Sequence, residues 1–141
     1  GPGQPLPPVH PPVIPNFLRQ AALEGTLVVH GDGNQTRDYV YLDDVVNAMC
    51  GAATAPGVND LVINVGSGVE TSVRELIRLV REVTGGDPEV VYNPRNDGGP
   101  ARMCADLRLA KEKLGYNPAV SLEVGLRNTF EMDARLQKPK G

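Results

Sequence analysis

Ile14, Phe17, Leu18, Ala21 and Ala22 recur every three or four residues, the spacing that gathers apolar side chains on one face of a helix. Pro15 suits the first turn of that helix, where its missing N–H is harmless, and Gly25 is placed to end it after Glu24. Leu27-Val-Val-His30 is then a short strand. The turn Gly31-Asp-Gly33 leads to a second β-rich run, Tyr39-Val-Tyr-Leu42. Asp43 or Asp44 caps the next helix, whose buried stripe is Val45, Ala48, Met49, Ala52 and Ala53, and Ala55-Pro-Gly57 stops it.

The second half repeats the alternation of strand and helix. Leu61-Val-Ile-Asn-Val65 is nearly all apolar, as a strand covered on both faces should be, and Gly66-Ser-Gly68 turns the chain toward another helix. Ser72-x-x-Glu75 has the form of a capping box, and Val73, Leu76, Ile77 and Val80 make one stripe before Thr84-Gly-Gly86. Glu89-Val-Val-Tyr92 is a further short strand, followed by a glycine- and proline-containing loop from Asn93 to Ala101. Asp106 and Ser121 cap two last helices, the first ending at Leu114-Gly115 and the second carrying Leu122, Leu126 and Phe130.

Seven of the 13 prolines lie between Gly1 and Pro15, so residues 1–15 read as an extended connector or lid laid over another surface. Residues 16–137 form the folded lobe, and residues 138–141 fray. With 141 residues the chain can bury roughly two-thirds of the surface its unfolded form exposes. A formal charge of −3, with both signs interspersed, argues against nucleic acid as a partner and confines any anion site to a local cluster. No apolar run reaches the roughly 18 residues of a membrane span, so the default expectation is a soluble cytoplasmic protein. Cys50 and Cys104 are too few and too far apart for a disulfide framework or a zinc motif, and neither His10 nor His30 has a partner at ligand spacing.

The run from Gly31 to Met49 holds the most pointed chemistry. In Arg37-Asp38 a guanidinium fork can reach two phosphate oxygens while the neighbouring carboxylate holds it in one orientation, an arrangement suited to a diphosphate. Spacing alone leaves open an ordinary surface ion pair instead. Arg95 and Arg102, in and beside the 93–101 loop, are near enough in sequence for one of them to join Arg37 around the same anion. Gly66-x-Gly68 has the first two glycines of a dinucleotide fingerprint, but Thr71 stands at the third position and a plain turn is the better expectation. Asp32-x-Asn34-x-Thr36 opens like a calcium loop, yet Arg37 occupies the position where glycine is needed. Tyr39 and Tyr41 share a face and are expected to pack. No arrangement of serine, cysteine and histidine suggests nucleophilic catalysis.

Taken in order, many short segments share one resemblance. They begin with Gly1-Pro-Gly-Gln4, Val13-Ile-Pro15, Val29-His-Gly-Asp-Gly33, Gln35-Thr-Arg-Asp38 and Tyr41-Leu-Asp-Asp-Val45. They continue through Ile63-Asn-Val-Gly-Ser-Gly68, Thr71-Ser72 with Glu75-Leu76, Ala105-Asp106, Leu114-Gly-Tyr-x-Pro118 and Ser121-Leu-Glu-x-Gly-Leu126. Together they resemble the C-terminal part of the extended short-chain dehydrogenase/reductases, the NAD-dependent epimerases and dehydratases acting on nucleotide sugars. The resemblance implies an α/β fold of several helices with short strands, lacking the N-terminal NAD-binding Rossmann core.

It also implies roles. Arg37 matches the family arginine that contacts the substrate diphosphate, and His30 the position, usually aromatic, beside the nucleobase. Val13 and Ile14 resemble the segment that approaches the base, and Arg102 a second basic residue near the phosphates or ribose. Many relatives place Arg followed by Gly-Asp where this chain reads Arg95-Asn-Asp-Gly-Gly-Pro100, a departure that bears on base and sugar preference. The chain has no match to the glycine-rich loop or the Tyr-x-x-x-Lys pair that serve NAD and proton abstraction in the family. It therefore carries no cofactor site of its own and should not turn over alone, NAD belonging to the full-length family. The expected ligand is a UDP- or dTDP-linked sugar, and the expected partners are the missing Rossmann domain and further copies in a homo-oligomer. The alternative is a stand-alone binding or self-assembly module without chemistry, derived from that family.

Overall fold

The computed structural model describes residues 1–6, 12–94 and 99–138. Helix α1, Val13–Ala22, starts before Pro15, because proline is tolerated throughout a first turn and Pro12 supplies the residue that precedes it. Phe17, Leu18, Ala21 and Ala22 are buried, as their spacing requires. Strand β1, Thr26–His30, runs parallel to β4, Glu89–Asn93, with Thr26 opposite Glu89 and His30 opposite Asn93. A second small sheet pairs β2, Thr36–Asp38, antiparallel with β3, Glu70–Ser72.

The expected strand at 39–42 lies earlier. Only residues 36–38 find a partner strand, and Leu42 is already the first residue of α2, Leu42–Thr54. Two acidic residues in its first turn, Asp43 and Asp44, favour that early start by facing the positive end of the helix dipole. Neither is the cap; Tyr41 precedes the helix without a side-chain cap bond. Asp44 is buried instead, accepting the N–H groups of Ala119 and Val120 at 2.9 and 3.1 Å. These bonds turn the Asp44 and Ala48 face inward, so that Met49, predicted inside, is 67% exposed.

Leu61–Val65 is not a strand. No described strand runs beside it; the Leu61 N–H donates to the Val58 carbonyl, and Ile63 and Val65 pack against the cluster of Ala48, Leu107, Ala110 and Tyr116. Leu61 is exposed and Val62 is 88% so.

Helix α3, Val73–Thr84, follows the sequence closely. The Ser72 hydroxyl accepts the Glu75 N–H at 3.1 Å, and Gly85 ends the helix at φ 67°, where a side chain would strain the backbone. Glu75 turns to Arg78 rather than back to Ser72, so only half of the capping box forms. Asp106 sits one residue outside the cap position of α4, Arg108–Leu114, and accepts the Arg108 N–H. Ser121 caps α5, Leu122–Met132, through the Val124 N–H. A single 3₁₀ turn, Ala134–Leu136, closes the described chain, and Lys138 pairs with Glu24.

The main core lies where α1, α3 and α5 meet, around Leu18, Leu76, Val80 and Leu126. One end of β1 and the whole of β2 are left at its margin. Among the described residues, no helix is long and apolar enough to cross a membrane.

Candidate functional site

Strand β2 is held on both sides. Arg37 lies opposite Thr71 of β3, while Thr36 bridges Arg102, its N–H donating to the Ala101 carbonyl at 2.9 Å and its carbonyl accepting from Met103 N–H at 3.2 Å. The half-buried Arg37 therefore leaves a backbone that is fixed along both edges. Its Nη1 donates to the carbonyl oxygens of Thr36 and Pro100, each at 2.7 Å. Both of these acceptors are neutral carbonyls, so these two bonds orient the fork without adding an opposite charge.

Asp38 does not perform the orienting role expected of it. Successive residues of a strand point to opposite faces, and the Asp38 carboxylate takes another set of donors. It accepts from Ser67 N–H at 2.7 Å, Ser67 Oγ at 2.6 Å, Gly68 N–H at 3.0 Å and Ala105 N–H at 3.1 Å. Those bonds also decide the Gly66-x-Gly68 question. The two amides that would cradle a pyrophosphate are spent on Asp38, so these residues do not fit a dinucleotide.

Arg37 stands at the wall of two hollows. One, of about 290 Å3, is bordered by Val13, Asn16, His30, Gln35 and Tyr39 as well. The other, of about 390 Å3, lies toward Asn64, Met103 and Cys104. The structure thus brings Arg37, His30 and Val13 around one space. Ile14 faces an adjoining apolar hollow of about 340 Å3, which it shares with Val13, Tyr39, Tyr41 and Leu122. Arg102 is not drawn in: its guanidinium grips Glu70 through Nε at 3.0 Å and Nη2 at 2.5 Å, and it borders neither hollow that Arg37 borders. The sequence places Arg102 close to Arg37, but the bridge at Thr36 sends its side chain toward Glu70, which also accepts the Thr36 hydroxyl at 2.8 Å. Arg95 lies outside the described residues.

Sequence reasoning passed over Asn16, Gln35 and Tyr39 as lining groups. Asn16 could have been found, since it stands one helical turn after Val13 and so shares its face. Burial pushes the Tyr39 phenol above its ordinary pKa, against the pull of the Arg37 charge. Asp32 accepts from Asn34 N–H and Nδ2, a local turn that takes up its oxygens. Cys50 and Cys104 are free thiols at the surface.

Two carboxylates make the structure sensitive to acid. Burial alone would raise the Asp38 pKa, but the bonds from Ser67, Ala105 and Gly68 outweigh it and hold the group below its ordinary value. Asp133 is held far lower, first by Arg135, which reaches it at 2.5 Å, and against burial also by the Gly3 and Arg135 amides. A depressed folded pKa stabilises fully above the unfolded value of about 3.9 and ceases to do so as pH falls through the folded value. The melting temperature should therefore drop from about pH 5 downward, and Asp133→Asn should flatten that drop while lowering the neutral plateau. Parallel melting curves for the variant and the parent across that range would refute the linkage.

Comparison with known proteins gives a consistent set of relatives. The family model described as GDP-mannose 4,6 dehydratase matches residues 3–129. The UDP-glucose 4-epimerase of Mycolicibacterium smegmatis is 41% identical over 116 residues, covering 82% of this chain and 37% of that protein. Among solved structures, the UDP-glucose 4-epimerase of Thermotoga maritima with UDP-glucose superposes with a TM-score of 0.85 at 40% identity, over 93% of this chain and 41% of that one. The UDP-glucuronic acid 4-epimerase of Bacillus cereus, in complex with UDP-glucuronic acid and NAD, gives 0.80 at 27% identity, over 85% and 38%. The chain spans about two fifths of the length of these relatives. A family match over nearly the whole lobe, together with a shared fold at these identities, shows that the chain belongs to the nucleotide-sugar epimerases and dehydratases of the NAD-dependent extended short-chain dehydrogenase/reductase family, and corresponds to their C-terminal part.

Proposed function

We propose that this chain is the substrate-binding portion of an NAD-dependent nucleotide-sugar epimerase or dehydratase, and that it holds the nucleoside diphosphate of a UDP- or dTDP-sugar. The observation that carries this reading is the Arg37 fork, fixed by two carbonyls at the wall of a hollow shared with His30 and Val13. A diphosphate at the fork leaves the base to lie along the Val13 and His30 side, where apolar surface and polar groups alternate. Arg102, paired with Glu70, would reach the anion only by exchanging a carboxylate for a phosphate. Arg95 is a further proposed contact to the same anion.

The relatives' printed ligands, UDP-glucose and UDP-glucuronic acid, support a UDP-linked substrate. NAD finds no cradle in the Gly66–Gly68 turn, whose amides are taken, so the cofactor would be held by a Rossmann portion of the whole protein. Without a Tyr-x-x-x-Lys pair, the 141 residues alone should bind and not react. The exposed Leu61, Val62, Val46 and Met49 support a covering surface in the whole enzyme, from that portion or from another subunit. Calorimetric titration with UDP-glucose and dTDP-glucose tests the reading: saturable heat, displaced by UDP, is expected. No heat at millimolar ligand would leave the family intact and remove the proposed site.

A further inference from the structure

Asp38 accepts four hydrogen bonds from N–H and O–H donors and a long one from Cys104 Sγ at 3.9 Å, all from two segments distant in sequence and none from the arginine beside it. The segment it grips through Ala105 also carries the Pro100 carbonyl, which accepts from Arg37 Nη1. Between those points β2 is zipped to the same segment at Ala101 and Met103. Arg37, its acceptor and the strand that bears it are therefore one unit, and Asp38 closes the end of that unit farthest from Pro100. We propose that Asp38 is a positioning residue of the diphosphate site, keeping the Arg37 fork at the wall between its two hollows by tying β2 to the Gly66–Gly68 turn and to Ala105. This rests on the reading of Arg37 given above.

The packing shows that the tie is built for a carboxylate. A Cβ on Gly66 would lie 2.5 Å from Asp38 Oδ2 and 2.6 Å from the Ala105 Cβ, so the three groups meet where only glycine leaves room. All of these partners are donors, and an ionised carboxylate is acceptor-only, with lone pairs for the four N–H and O–H groups. An amide of the same shape is not equivalent. With its oxygen toward Ser67, its NH2 group would face the Gly68 and Ala105 N–H groups, donor against donor, and the tie to the Pro100 segment would open.

The test compares Asp38→Asn with Asp44→Asn, which disturbs another carboxylate holding two backbone amides, away from Arg37. Both should lower the melting temperature. Titrations with UDP and with uridine, followed by NMR, separate positioning from general loosening. In Asp38→Asn, UDP affinity should fall about tenfold while uridine affinity holds, because only the phosphate depends on the fork. Asp44→Asn should leave both unchanged. Wild-type UDP affinity in Asp38→Asn, or an equal fall for UDP and uridine, would overturn the proposal.

Hydrogen exchange gives a readout that needs no ligand. The Thr36 and Met103 amides should exchange about tenfold faster in Asp38→Asn and not in Asp44→Asn. Unchanged rates there would sink the positioning role. If the wild-type chain binds UDP no better than uridine, it is the Arg37 assignment that fails, and the exchange rates still decide Asp38. Should Asp38→Asn not fold, Ser67→Ala removes one donor to the carboxylate and must give the same pattern in weaker form, failing which the proposal falls.

Discussion

Gly86→Ala is expected to lower the melting temperature by roughly 10 °C, the outcome of a steric loss of about 3 kcal/mol in a chain of this size. The added Cβ would sit 2.1 Å from the Ala21 carbonyl oxygen and 2.9 Å from its carbonyl carbon. Those atoms belong to the last turn of α1, so no rotamer change can move them aside. Relief requires the connection between α3 and β4 to lift off α1, and that seam holds Leu18, Ala21 and Val80, all fully buried. Gly57→Ala is the control, with nothing near its Cβ and a φ of 70°. It should lose only the cost of a left-handed backbone, about 1 kcal/mol. Thermal unfolding followed by circular dichroism distinguishes the two. If both variants melt alike, the close approach of Gly86 to α1 is not what constrains that position.

The same seam explains why much of the fold could be read from sequence. Apolar spacing in α1 and α3 is dictated by the faces that meet there, and Ser72, Gly85, Gly115 and Ser121 mark helix ends by local chemistry that needs no tertiary partner. The failures lie where the deciding partner is remote. Tyr39–Leu42 has strand composition, but the ladder partner Glu70–Ser72 is available only to residues 36–38. Leu61–Val65 has strand composition and no described neighbour to pair with. Met49 lost its buried place because Asp44, a carboxylate that spacing would put at the surface, is drawn inward by amides at 119 and 120.

The candidate site divides along the same line. Arg37 could be singled out in sequence by the polar turn before it, although spacing left a surface ion pair equally open. The geometry around it was not, since its acceptor at Pro100 and the donors to Asp38 lie 29 to 67 residues away. Adjacent positions in a strand lean to opposite faces, so Arg37 and Asp38 take different partners although both border the hollow toward Asn64. Arg102, one of the two arginines expected near Arg37, is paired with Glu70, a residue with no signal of its own until β3 is placed beside β2.

Arg37→Lys should weaken binding of UDP-glucose about tenfold, and Arg37→Ala about a hundredfold, with little change in stability. Lysine keeps the charge but has no fork. It cannot hold the Thr36 and Pro100 carbonyls and still present two parallel donors to a phosphate. Alanine removes charge and fork together. The gap between the two variants therefore measures how much of the affinity is charge alone. That share should shrink as salt is raised, because a point charge near the surface is screened, whereas an oriented fork in a hollow is screened less. Titration at low and high salt gives all the values needed. A lysine variant that binds as well as the parent would reduce Arg37 to a source of positive potential, and the carbonyl clamp on Nη1 would then belong to the fold rather than to recognition.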